Sequence, residues 1–219
     1  MKDHKTVYYC DAYRDGKDYL STRRSRIKVL KADPNSFRFL KNGYARDANA
    51  FFFEGQSFLV KDVNSFEILD CGFARDRVTG CYQQTLIPGS DGGNFAVLEN
   101  HYSRDSKHVY HSYDDLSQSP VVMRSGRVEG ALVDSFTVLE TGYAKDAKRA
   151  YHNDKALASS AAFEELALGY AKTDKQVFYD GKPIPGADAV SFVMLEPRAD
   201  DADAKESRAR YLVGCKVGK

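Results

Sequence analysis

Three kinds of side chain in this sequence could do chemistry: a cluster of histidines, four cysteines, and aspartates that keep returning. His101, His108 and His111 fall within HYSRDSKHVYH. With His101 and His108 on facing strands, two imidazoles would approach as in the start of a zinc site. Zinc needs three or four ligands and outer partners that fix each ring. No such partners stand nearby in the sequence, so the expectation is surface histidines, no metal and no cofactor. Cys10, Cys71, Cys81 and Cys215 form no CxxC pair. Cys81 stands where other copies of a repeated segment carry an aromatic residue, and it reads as a small buried hydrophobe. A disulfide in an exported protein is the alternative. There is no P-loop, GxGxxG, GxSxG or HExxH. The aspartates recur at one place in copy after copy, whereas a catalytic group would stand once. The expectation is therefore not an enzyme.

That recurrence defines the elements. Five segments read alike: Gly43–Asp47, Gly72–Asp76, His101–Asp105, Gly142–Asp146 and Gly169–Asp174, with a degenerate copy AYRD at Ala12–Asp15. A second marker, Phe followed at the third position by Leu, accompanies them: Phe37 with Leu40, Phe66 with Leu69, Phe95 with Leu98, Phe136 with Leu139, Phe163 with Leu166, and Phe192 with Leu195. The phenylalanines are spaced 66−37=29, 95−66=29, 136−95=41, 163−136=27 and 192−163=29. The aspartates are spaced 47−15=32, 76−47=29, 105−76=29, 146−105=41 and 174−146=28. Two markers that keep step, the long copy included, identify a tandem repeat.

Each part of the unit has a local reading. The Tyr-Ala-Lys-Asp segment and the aromatics after it predict two short strands joined at an Asp whose carboxylate accepts from an N–H two residues on. A second turn is expected at Gly55, Gly126 or Gly181, then a third strand such as Lys182–Ile184. Asp33, Asp62, Asp91 and Asp188, each four residues before a marker Phe, predict N-caps of a single helical turn. On that turn Phe and Leu at i and i+3 share an inward face, and Asn42-Gly43, Cys71-Gly72, Thr141-Gly142 and Leu168-Gly169 end it. The expected fold is mainly β: tandem three-stranded meanders, each with one helical turn, stacked as a solenoid-like array because one unit alone buries too little. The chain reads as a single repeat domain, 1–219, with repeats at about 8–40, 41–69, 70–98, 99–139, 140–166 and 167–195, and a degenerate cap at 196–219.

Lys+Arg 32 against Asp+Glu 31 gives a net charge of +1, so no global field draws the chain to nucleic acid or to an anionic membrane. Arg23, Arg24, Arg26, Lys28 and Lys31 form one basic tract, where nucleic-acid binding would want charge spread along a face with aromatic platforms. It reads as a solvated loop, with a docking patch for an acidic protein surface as the alternative. No apolar run reaches the ~20 residues of a membrane span, and Met1 to Lys5 is polar. The expected location is cytoplasmic as written, or periplasmic or envelope if a leader has been removed.

At the level of Tyr170 to Leu195, YAKTDKQVFYDGKPIPGADAVSFVML, the sequence resembles the DKNYY repeat proteins of bacteria. It departs from their pattern by an inserted Thr173 and by Ala189 in place of Pro. Gly80-Cys81-Tyr82 and Ala150-Tyr151-His152 stand where aromatics would cluster. The resemblance implies a binding or interaction module with no defining catalytic motif. The 41−29=12 extra residues of the long repeat fall between Tyr110 and Phe136 and combine acids, an aromatic, an Arg and a Val-Val-Met run. Insertions in repeat proteins map to loops, often on the binding face. The expectation is a protein interface at Tyr113, Asp114, Asp115, Met123, Arg124 and Arg127. The partner class is a protein, possible cognate toxin included, which makes the chain an immunity protein. The alternative is an envelope or cell-surface module for glycan or host protein.

Overall fold

The structure, a computed structural model, describes residues 1–13, 24–118, 121–195 and 202–218. Seven small antiparallel sheets follow one another along these residues, the first two-stranded and the others four-stranded, with no α-helix. Repeat two shows the plan: Arg38–Phe39, Tyr44–Arg46, Phe51–Phe53 and Gln56–Phe58 pair in chain order. The register is Phe39↔Ala45, Tyr44↔Phe53 and Phe51↔Phe58.

The fourth strand corrects the expected three. Short 3-10 turns do occur, at Val63–Ser65, Gly92–Asn94, Val133–Ser135 and Ser160–Ala162, but each stops before the marker Phe. Phe66 is already extended, at φ −64° and ψ 122°, and Glu67–Ile68 then pairs with Phe73–Arg75 of the following segment. The Phe-x-x-Leu residues therefore lead into a strand, not around a helical face. Phe37, Phe95, Phe136, Phe163 and Phe192 are buried as expected, whereas Phe66 and all six marker leucines are only half-buried. Asp62 and Asp91 are caps as read, accepting from Asn64 and Gly93 N–H, whereas Asp33 and Asp188 accept from Asn35 and Val190 in the same way but lead into turns with no helix.

The glycine pairs close hairpins and do not end helices. Asn42 and Gly43 lie at φ +54° and +79°, and Leu168 and Gly169 at +56° and +81°. Two successive positive φ values are the type I′ hairpin turn, whose twist matches the strands it joins. The second hairpin turn is of the same kind at Glu54-Gly55 and Asp180-Gly181. Gly126, expected at such a turn, instead lies inside the strand Val122–Arg127.

The core of five of the seven sheets is built on one cross-hairpin aromatic pair each. Tyr44, Phe73, Tyr102, Tyr143 and Tyr170 are almost wholly buried. Across the hairpin they meet Phe53, Tyr82, His111, His152 and Tyr179, with ring centroids 4.8, 5.0, 4.8, 4.9 and 4.7 Å apart. The chain divides into two compact units, Met1–Val97 with Ser112–Ser125, and Leu98–His111 with Gly126–Lys219. In the first, the Tyr44 hydroxyl lies 3.0 Å from the carbonyls of both Gly72 and Gln83 in the next repeat. In the second, Tyr102 donates to Asn153 O (2.8 Å) and Tyr143 to Gly169 O (2.9 Å), while Tyr143 and Tyr170 accept from Gly181 and Gly214 N–H. Each such tyrosine packs its ring in its own repeat and latches its hydroxyl to the hairpin backbone of the next. The C-terminal segment, expected to keep only Arg210–Gly214 as a strand, forms a full sheet of Val193–Met194, Ala204–Lys205, Arg210–Leu212 and Cys215–Gly218.

Candidate interaction surface

The repeated aspartate sets where each hairpin starts. Asp146 is 3% exposed; its Oδ1 accepts from the N–H groups of Lys148 (2.7 Å) and Arg149 (2.8 Å). Its Oδ2 accepts from Leu132 N–H and the Tyr151 hydroxyl, both at 2.8 Å. Asp47 and Asp76 do the same with Asn49, Ala50 and Asp33, and with Val78, Thr79, Lys61 and Asp62. Burial pushes these carboxyls up, but the donors around them outweigh it and hold Asp47, Asp76 and Asp146 below the ordinary value. They are charged turn locks, as the sequence implied.

The lock geometry also corrects the repeat phase at three places. In repeat six it is Thr173 whose Oγ1 accepts from Lys175 and Gln176 N–H, and whose N–H bonds Gln176 O. Thr173 thus replaces the aspartate and is not an insertion; the spacing becomes 173−146=27, equal to that of the phenylalanines. In repeat seven Glu206 stands at this place, its N–H on Ala209 O. In repeat one the lock is Asp3: Oδ1 accepts from Lys5 and Thr6 N–H at 2.7 Å, and Oδ2 from the Tyr8 hydroxyl. Asp15 of the expected AYRD copy lies outside the described residues. The signal was present, since Val7-Tyr8-Tyr9 begins four residues after Asp3 as Phe51-Phe52-Phe53 does after Asp47.

With Asp3 as the lock, the first spacing is 47−3=44, so repeat one is longer than repeat four. Both put the surplus into the same hairpin. In repeat one its strands are β1 (Val7–Tyr13) and β2 (Arg24–Leu30), and in repeat four Val109–Asp115 and Val122–Arg127, against three-residue strands in repeat two. The basic tract expected as a loop is therefore largely strand: Arg24, Arg26 and Lys28 lie on β2, while Arg23 falls outside the described residues.

The expected site residues all lie on the repeat-four hairpin. Tyr113 and Asp114 are exposed, as is Arg127 at the base of the returning strand in the second unit. Asp115 is half-buried and accepts from Arg124 Nε at 2.7 Å; the Ser117 hydroxyl and Arg124 hold its carboxyl below the ordinary value. Asp114 and Met123 each meet a glutamine of repeat three: Gln83 Nε2 donates to Asp114 Oδ1 (3.2 Å) and Gln84 Nε2 lies 3.2 Å from Met123 Sδ. The sequence reading missed Leu116, 79% exposed near the hairpin end.

The histidines separate. His101 is exposed, and His108 is half-buried with Nδ1 3.8 Å from Asp105. His111, expected at the surface, is buried against Tyr102 because it occupies the aromatic partner position. Burial pushes its pKa down to about 4. Among the described residues no three His, Cys, Asp or Glu are grouped to hold a metal. Cys81 is buried, its thiol pushed up to about 12 by that burial; Cys10, Cys71 and Cys215 are exposed, and none of the four is in a disulfide. No helix among the described residues is long and apolar enough to cross a membrane.

Locked hairpins, latching tyrosines and a regular period define a tandem β-repeat protein. Residues 1–85 match the family model described as the DKNYY family. No curated protein matches it, and no solved structure does.

Proposed function

We propose that this is a non-enzymatic, protein-binding repeat protein, its sheets stacked as a solenoid-like array, and that it acts as an immunity protein neutralising a cognate bacterial toxin. The observation that carries the binding reading is the repeat-four hairpin. Leu116, Tyr113, Val121 and Val122 stand 79, 43, 43 and 40% exposed on the outer part of the hairpin, beyond the buried Val109–Ser112 segment. Apolar side chains beside a charged pair such as Asp115–Arg124 suit a protein interface, where aromatic and Arg anchors dominate the binding energy. The toxin reading is supported by the divergence of the copies, which an inhibitor of a single partner tolerates and a general ligand array does not. The test is co-purification of the partner from the native host, then titration of the intact chain and of one with repeat four cut to the repeat-two length. Affinity is expected to fall about tenfold or more. The melting temperature should hold nearly constant, since the hairpin's bonds to Gln83 and Gln84 lie near the surface. Equal affinities would move the interface onto the repeat faces.

A further inference from the structure

Every sheet among the described residues ends on a strand paired on one side only, and the longest such strands are those of the repeat-one hairpin. β2 pairs only with β1, so its other edge has no sheet partner among the described residues. It is seven residues long, whereas the strands ending the other sheets have six residues at most, at Val122–Arg127. An open edge of that length offers a row of backbone donors and acceptors to an extended chain.

The faces of this edge are chemically distinct. A Cβ at Gly55 would lie 2.5 Å from the Tyr9 ring, so the Tyr9 side of the hairpin rests on repeat two. By strand alternation Lys28, which pairs with Tyr9, and Arg26 lie on that side. The opposite side holds Cys10, exposed, with Ile27 and Val29 exposed by 62 and 67%. Arg26 is exposed and Lys28 half-buried, so β2 carries basic charge at its edge.

We infer that the open edge of β2 takes up an extended segment of a partner protein in which acidic and apolar side chains alternate. Acids at every second position would face Arg26 and Lys28, and the residues between would cover Ile27 and Val29. The same charges argue against a second copy of this chain. In an antiparallel β2–β2 pair centred on Ile27, Arg26 would stand opposite Lys28 of the other copy, and like charges directly opposite are destabilising. The basic residues thus protect the edge from self-association and leave it open to an acidic strand. The inference stands apart from the role of repeat four.

The probe is a dye-labelled synthetic peptide of alternating glutamate and valine, titrated into the full chain by fluorescence anisotropy. Saturable binding that weakens with salt is expected, and N-methylation of every second peptide residue should abolish it by removing strand hydrogen bonds. The double variant Arg26→Glu/Lys28→Glu should weaken binding about tenfold or more. Arg26→Gln/Lys28→Gln serves in its place if the charge reversal disturbs the circular dichroism spectrum. Shortening repeat four should leave peptide affinity unchanged, which separates this test from that of the proposed interface. No saturable binding, or equal binding of the methylated peptide, would overturn the inference. So would undiminished binding by a folded charge variant, or sedimentation of the chain as a dimer that this variant leaves intact.

Discussion

Replacing Asp146 tests the lock on which the repeat reading depends. Its carboxylate accepts four hydrogen bonds, two on each oxygen, and is 3% exposed. Bonds to a charged group contribute roughly 1.5–3 kcal/mol each, but simple addition overshoots because freed donors that reach water recover part of the loss. The N–H groups of Lys148 and Arg149 sit in an exposed turn, and the Tyr151 hydroxyl is buried. Counting mainly the donors left unsatisfied, Asp146→Ala should cost about 3–5 kcal/mol, a large share of the total stability of a domain. Repeat six supplies an internal control, since the Thr173 hydroxyl accepts from the two turn N–H groups alone. Asp146→Thr should therefore cost about half as much. The folded carboxyl is held below its ordinary 3.8, so its contribution is complete above that value and is lost as pH falls further. The gap between parent and Ala variant should close on acidification. Urea unfolding followed by circular dichroism gives the energies, and hydrogen exchange at Lys148 and Arg149 locates them. An Ala variant within about 1 kcal/mol of the parent, a difference too small for a buried four-bond lock, would refute the reasoning. A Thr variant as damaged as Ala would refute the division of labour between the two oxygens.

Two further outcomes follow from burial. His111 keeps a folded pKa of about 4 against an ordinary 6.5, so the unfolded chain takes a proton first and stability falls as pH drops from 6.5 toward 4, by roughly 3 kcal/mol across the window. The groups facing it, Asp154, His101 and His152, leave that direction unchanged, and His111→Phe, which copies Phe53 of repeat two, should flatten the urea midpoint between pH 7 and 5; a parent already flat there would sink the claim. Phe95→Ala should cost about 3–5 kcal/mol, because Phe95 is 2% exposed and a Cβ at Gly80 would lie 2.5 Å from its ring; a melting temperature within a degree or two of the parent would mean that the ring is not a core element.

What the sequence made legible is what the period constrains. The Asp turn and the Asp caps were readable because a carboxylate two residues before an N–H has one local use. The marker phenylalanines were readable as core for the same reason that they recur. The misreading of Phe-x-x-Leu came from its spacing, since i and i+3 describe a helical turn as well as the two ends of a short extended run. Asn42-Gly43, with both residues suited to positive φ, was the deciding signal and pointed to a hairpin. His111 was misplaced because residue type was weighed above position: it holds the partner place of the hairpin, where its ring packs against Tyr102.

The same constraint explains why the candidate surfaces showed only as anomalies of length. A residue added between a lock and its tyrosine would shift every side chain to the wrong face of the strand. Added at the far end of the second hairpin, it leaves both the lock and the latch in place. Repeats one and four have both grown there, by 44−29=15 and 41−29=12 residues relative to the common period. In repeat four the growth keeps Asp105 on Lys107 and His108 N–H and on the Tyr110 hydroxyl, as in an ordinary copy. Variation is thus channelled into hairpin ends, where it alters what the surface offers a partner without altering the scaffold. Such residues carry no period, and their role has to be read from exposure, charge and open edges rather than from recurrence.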